Sequence, residues 1–454
     1  MKVSYTLFAL THRFICRSVP ALLHGSVTKQ QRRKRRIMKK KVVSLLAAMA
    51  LAVTALAGCG SNNAATTGTD AATVAATTEA AATTEAAATT EAAGETVSGV
   101  KAGFIFLHDE NSTYDLNFMN AAKAACEKMG VEYVAKTNIP EGQECYDAAC
   151  ELADAGCDFI FADSFGHEDY IIEAAKEYPD VQFSHATGTK AHTEGLDNFH
   201  NAFASIYDGR YLAGIVAGMK LNEMIDNGDI TADQAKMGYV GAFPYAEVIS
   251  GYTSFYLGAK SVCPSATMEV KYTNSWASFD LEKECADALI SDGCVLISQH
   301  ADTTGAPTAC EAAGVPCVGY NIDMTSVAPN TALTSASMDW GVYYTYAVQC
   351  MLDGTAIDTD WCKGFAEGAD KITALNDKTV AEGTEEKVKE VEDALIDGSL
   401  HVFDTSAFTV DGKELDTYKK GDTEYISDGY FHESEYGSAP AFDIAIDGIT
   451  SITE

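Results

Sequence analysis

Residues 100–135, VKAGFIFLHDENSTYDLNFMNAAKAACEKMGVEYVA, carry the pattern that decides the fold. Val100 to Leu107 is a short apolar run, Tyr114 to Met129 reads as a helix that stops at Gly130, and Val131 to Ala135 opens the next strand. Short apolar runs alternating with longer amphipathic ones mark a parallel sheet covered by helices.

Outward from this stretch the unit repeats. Helix Cys145 to Ala155, strand Phe159 to Ala162, helix Glu168 to Tyr178 (stopped by Pro179) and strand Val181 to His185 follow in order. After a linking segment and a long helix near Ala202 to Met224, the alternation resumes. Strand Met237 to Ala242, helix Val248 to Val262 and strand Met268 to Tyr272 lead to helix Phe279 to Asp292, strand Val295 to Ser298, helix Thr304 to Ala313 and strand Cys317 to Tyr320. Two βα series in tandem predict an α/β chain of two Rossmann-like lobes with a hinge and an interlobe cleft. The expected division is 98–197 plus 331–370 for lobe 1 and 198–330 plus 371–417 for lobe 2, with about three crossings between them. The acidic extension 418–454 has no clear pattern.

Upstream, the sequence reads as targeting signal and tether. Met38-Lys39-Lys40-Lys41, the uncharged apolar run Val42 to Leu56, and Leu56-Ala57-Gly58-Cys59 form a signal peptide over 38–58. The apolar run is too short to span a bilayer. Cys59 after Leu-Ala-Gly resembles a bacterial lipobox, which implies lipidation of that thiol and a lipid anchor on the outer face of the cytoplasmic membrane. Residues 1–37, with Arg32-Arg33-Lys34-Arg35-Arg36, are expected to be an extension from a misassigned start. Residues 59–99 repeat Thr-Thr-Glu-Ala-Ala with almost no large apolar side chain, the composition of a disordered tether.

Of 32 Lys and Arg, 12 lie in the first 58 residues, which hold no Asp or Glu; the remaining 20 face 65 acidic residues, a net charge of −45. Such a surface repels phosphate backbones, so nucleic acid is excluded as a partner, and contact with the membrane is expected through the anchor only. Apart from Cys16 and Cys59, the 13 cysteines leave an odd number scattered through predicted helices, which does not suit a disulfide framework. Neither they nor His167, His185, His192 and His200 show metal-ligand spacing, so no metal and no cofactor are expected.

Ligands of open parallel sheets sit at the carboxyl ends of the strands. The stretches there are His108 to Asn117, Asp163-Ser164-Phe165-Gly166, His185-Ala186-Thr187, Phe243-Pro244, Thr273-Asn274-Ser275-Trp276, His300-Ala301-Asp302 and Tyr320-Asn321. Aromatic rings and amides at sheet edges suit a flat, hydrogen-bonding ligand. The same residues admit duller roles: Trp276 as a core cap, Tyr114 as the start of a helix, Asp115 as a first-turn dipole partner, and Asp302 and Asn321 in caps or turns.

Tyr178-Pro179-Asp180-Val181-Gln182-Phe183, His185-Ala186-Thr187-Gly188, Arg210-Tyr211-Leu212-Ala213-Gly214, Gly238-Tyr239-Val240, Phe243-Pro244 and Gly319-Tyr320-Asn321 together resemble the basic membrane protein, or purine-nucleoside-receptor-like, family. The likeness runs from about Lys101 to Phe403. It implies a type I periplasmic-binding-protein fold that holds a purine nucleoside or base between aromatic rings and delivers it to the permease of an ABC importer. By position it carries Tyr114, Asn117, Thr187, Phe243 and Trp276 into the ligand site, to which the strand ends add Ser164, Phe165, Asp302 and Asn321. Two of these depart from the nucleoside-binding pattern. Thr187 stands where those members carry Asp, and Gly319-Tyr320-Asn321 stands where they read Gly-Val-Asp, whose carboxylate grips the ribose. The departures turn the expectation toward a free base such as adenine, with Asp302 accepting from an exocyclic amine or ring N–H.

Catalysis is not expected, since the chain has no Gly-x-Ser-x-Gly elbow, no Walker A loop, no Gly-x-Gly-x-x-Gly after a strand and no His-Glu-x-x-His. Two other readings stay open: a simple sugar as ligand, and an extracellular sensor that presents its ligand without transport.

Overall fold

The structure is a computed structural model that describes residues 99–452. The expectations for the N-terminal extension, signal, Cys59 and tether lie outside the described residues.

The opening unit forms as its sequence suggests. In β1 (Lys101–Ile105) every residue after Lys101 is buried, because helices cover both faces of its sheet. Helix α1 (Thr113–Met129) begins at Ser112, whose hydroxyl accepts the Asp115 amide, and ends at Gly130, whose left-handed φ of 64° returns the chain toward β2 (Glu132–Lys136). Then come α2 (Gln143–Asp154), β3 (Phe159–Ala162), α3 (Glu168–Glu177), β4 (Gln182–Ala186), α4 (Ala191–Glu194) and β5 (Phe199–Ala204). With β11 (Asp360–Lys363) these strands form an all-parallel sheet in the order β11-β5-β4-β3-β1-β2.

The second lobe starts with α5 (Ile206–Asp226) and β6 (Lys236–Gly241). It continues through α6 (Ala246–Val262), β7 (Thr267–Tyr272), α7 (Phe279–Ser291), β8 (Leu296–Gln299), α8 (Gly305–Ala313), β9 (Cys317–Tyr320) and β10 (Ala332–Met338). From β10 the chain crosses to α9 (Trp340–Asp353), which packs on α1, and to β11. It crosses again to β12 (Asp370–Ile372), antiparallel to β10, and continues into α10 (Thr384–Ile396) against α5. The second sheet has the order β12-β10-β9-β8-β6-β7-β17, where β17 (Ile449–Ile452) runs parallel to β7.

Two expected lobe limits move by one strand. Residues 199–204 were expected to open lobe 2, yet they pair with β4 and β11 in the first sheet. Only Ser205 separates β5 from α5, so the apolar run shows no seam there. Residues 332–338 were expected to return to lobe 1, yet they extend the second sheet beside β9. The crossing comes later, at Asp339, which caps α9 by accepting the Gly341 amide.

Helices α5 and α6 lie backbone to backbone. A Cβ on Gly214 would press on the Phe255 carbonyl, one on Gly218 on the Ala259 carbonyl, and one on Gly258 on the Tyr211 carbonyl.

The segment beyond α10 contributes two small ribbons, β13 (Lys419–Lys420) with β14 (Thr423–Glu424) and β15 (Ile426–Ser427) with β16 (Tyr430–Phe431), before β17. Buried Glu433 pins it to the second lobe, accepting from the Ser250 hydroxyl at 2.5 Å and from the amides of Ala441 and Phe442. Burial raises this carboxyl from the ordinary 4.5 to about 7, against those hydrogen bonds. A raised folded-state value gives a contribution to stability that is complete below the unfolded pKa and is lost as pH climbs through about 7. Between pH 5 and pH 8, thermal melts of the wild type are therefore expected to lose ~2 kcal/mol that Glu433→Gln does not lose. Equal pH slopes in the two proteins would contradict this.

Candidate functional site: the interlobe cleft

The carboxyl ends of the two sheets face each other and close on a narrow chamber with about 20 Å³ of open space. The first lobe supplies Leu107 and His108 after β1, Tyr114 and Asp115 from the start of α1, Ser164 and Phe165 after β3, and Thr187 after β4. The second supplies Glu247 from the first turn of α6, Trp276 after β7, His300 and Asp302 after β8, and Tyr320 at the end of β9. The lobes are drawn together: the Thr113 amide donates to the Asp302 carbonyl at 2.7 Å, and the Asn117 amide group to the Met338 carbonyl at 3.0 Å.

An aromatic wall bridges the mouth. Phe165 stacks on Tyr245 across the cleft at 5.5 Å, and Tyr245 stacks on Phe243 at 5.2 Å, with Trp276 at 5.1 Å from Phe243. Phe165 and Tyr245 remain about 45% and 43% exposed at this mouth.

Three carboxyls, Asp115, Glu247 and Asp302, line the chamber among hydroxyl and imidazole groups. Burial drives the Asp302 carboxyl well above the usual range, aided by the charges of Glu282, Asp115 and Glu247 and opposed by Asn321, whose side-chain amide donates to Oδ1 at 3.2 Å. Asp163 beneath the floor is likewise raised by burial and by Asp115. Burial also works to raise Asp115, but hydrogen bonds from the side chain and backbone of His108 and from Ser112 outweigh it and hold Asp115 below its ordinary value. His300 is held neutral by burial and by the Arg210 cation, against the pull of Glu247 at 3.2 Å.

Three residues just past strands adopt left-handed φ: Thr187 (62°), Asn274 (55°) and Asn321 (68°). For the β-branched Thr187 this is a costly conformation, and such strain concentrates at binding sites.

Of the residues expected at the site, Tyr114, Ser164, Phe165, Thr187, Trp276 and Asp302 line the chamber. Asn117 does not; its amide is spent on Met338 at the crossing between lobes. Phe243 stands behind Tyr245 and Trp276, and Asn321 reaches the chamber only through Asp302. His108, Asp115, His300 and Tyr320 sit in strand-end stretches that sequence reasoning had marked, without being singled out. Glu247 lies beyond any such stretch. Among the described residues no group of His, Cys, Asp and Glu is placed to hold a metal, and the described cysteines are free thiols.

Outside the aromatic wall the C-terminal segment roofs a second, open space with Lys420, Tyr425, Tyr436 and Asp443. It touches the first lobe where the Ser438 amide donates to Asp360 Oδ1 at 3.0 Å.

The family described as ABC transporter substrate-binding protein PnrA-like matches residues 105–400. A purine-binding protein of Brucella abortus is 34% identical over 327 residues, 70% of this chain and 89% of the relative. A Haloferax volcanii protein, named provisionally as a glucose-binding protein of an ABC transporter, is 31% identical over 58% of this chain and 64% of its own. Among solved structures, a solute-binding protein of an ABC transporter system from Conexibacter woesei superposes with a TM-score of 0.56 at 20% identity, covering 67% of this chain and 98% of that one. The two facing parallel sheets are thus a type I periplasmic-binding-protein fold, the form in which such proteins capture small molecules outside the cytoplasm for a permease. By fold, cleft and sequence, the chain belongs to the PnrA-like family of ABC transporter substrate-binding proteins.

Proposed function

We propose that the protein captures a purine, as the free base in preference to the nucleoside, and delivers it to an ABC permease while held at the outer face of the membrane by a lipid on Cys59. The observation that carries this reading is Asp302. Burial raises its carboxyl well above the usual range, and a protonated carboxyl has an O–H donor beside a C=O acceptor, which matches the ring nitrogen and exocyclic amine along one edge of adenine. The aromatic wall suits the flat ring, and the purine-binding relative supports the ligand class. Thr187 and Asn321 are neutral where the nucleoside-binding pattern is acidic, which weakens the case for ribose.

Calorimetry on the chain starting after Cys59 tests this directly. Adenine is expected to bind at least about tenfold more tightly than adenosine, and glucose not at all. Glucose binding with no purine binding would overturn the reading in favour of the sugar alternative, to which the Haloferax relative points. In cells of the full chain, labelled fatty acid is expected on the wild type and absent from Cys59→Ser.

A further inference from the structure

The chamber's hydroxyl groups are nearly all spent within the protein. Tyr114 donates to the Asp163 carbonyl at 3.0 Å, Ser164 to Glu141 at 2.5 Å and Thr187 to the Ala186 carbonyl at 2.6 Å. Tyr320 differs. It is 1% exposed, it lines the chamber, and its hydroxyl has no protein partner. A buried hydroxyl left unmatched is costly, and natural proteins keep one where something else completes it.

What lies beneath the ring is equally specific. The Arg210 guanidinium sits 3.6 Å from the ring centroid, fixed by an Nη1 hydrogen bond to the Gln299 carbonyl at 2.7 Å, and His300 lies against the ring at 4.9 Å. A planar cation on the ring face holds the ring in place and draws electron density from it, which strengthens the hydroxyl as a donor. Lysine cannot reproduce the stack. Nothing in the nucleoside-binding pattern supplies this hydroxyl, since that pattern has valine at the position of Tyr320.

We propose that Tyr320 is a specificity-determining residue of the cleft, its hydroxyl donating to an unprotonated ring nitrogen of the bound heterocycle, and that Arg210 is its positioning residue. The inference rests on the purine reading and deepens it: the ligand is recognised from two directions, by Asp302 along one edge and by Tyr320 at a separate ring nitrogen.

The test pairs protein variants with ligand analogues in calorimetry. Tyr320→Phe keeps the ring and its stack on Arg210 and removes only the hydroxyl; it is expected to weaken adenine about tenfold. Among 1-deaza-, 3-deaza- and 7-deazaadenine, one analogue is expected to lose a similar factor on the wild type and no further affinity on Tyr320→Phe, which identifies the nitrogen. Arg210→Lys is expected to weaken adenine when Tyr320 is present and to add little in the Tyr320→Phe background. Equal adenine affinity for wild type and Tyr320→Phe would overturn the assignment, as would deaza losses identical in the two proteins. Fully additive losses for Arg210→Lys and Tyr320→Phe would remove the positioning role. If the wild type binds no purine, the functional reading fails and this assignment falls with it, a result distinct from retained adenine binding that ignores the hydroxyl.

Discussion

Replacing Asp302 with alanine is expected to lower affinity for the base by about 100-fold, whereas Asp302→Asn is expected to cost less than about tenfold. The difference follows from the state of the carboxyl. Burial and three neighbouring carboxyl groups raise it well above the usual range; a protonated carboxyl presents one donor and one acceptor, and an amide presents the same pair. Alanine leaves both ligand groups facing a desolvated wall and also strips Asn321 of its partner. The same logic sets the pH dependence: affinity holds while the carboxyl stays protonated and falls as pH rises through its ionisation range, and Asp302→Asn removes that fall. Calorimetry across this range is decisive. An asparagine variant as weak as the alanine variant would mean that the ligand needs a carboxylate.

A second large effect is expected far from the ligand. Gly258→Ala should destabilise the protein by ~2 kcal/mol, lowering the melting temperature by about 3 °C. The sign is the informative part, because the same change in an exposed helix interior stabilises by roughly 0.5–1 kcal/mol. Here the added methyl would meet the Tyr211 carbonyl, with Gly214 and Gly218 making the reciprocal approach from α5. Helices this close cannot move apart without disturbing Arg210, which lies on α5 one residue before Tyr211. A rise in melting temperature on thermal denaturation would show that the helices have room.

Much of this architecture was legible because each local signal is short-range. Gly130 stops α1 and Pro179 stops the helix before β4, so strands and helices separate without knowledge of their partners. The lobe limits were harder. Whether β5 or β10 joins one sheet or the other is decided by pairing with β11 and β9, across distances no local pattern reports. At the site, strand ends pointed to the chamber because chemistry there follows from the sheet direction. Asn117 was drawn in with Tyr114 by nearness in sequence, but three residues along a helix its amide turns to the crossing at Met338. Glu247 arrives from a helix start, and the C-terminal ribbons, at two residues per strand, have no length over which a period could show.

Each sheet is also finished by a strand made late. β11 reaches the first sheet only after strands β6 to β10 of the second lobe have been synthesised, and β17 joins β7 at the far end of the described chain. Neither lobe is a continuous stretch that could complete itself while emerging from the ribosome, and such long-range closure slows folding. A chain built this way stays unfinished until its last strands are available, which keeps it threadable during passage across a membrane and defers the assembled cleft to the far side.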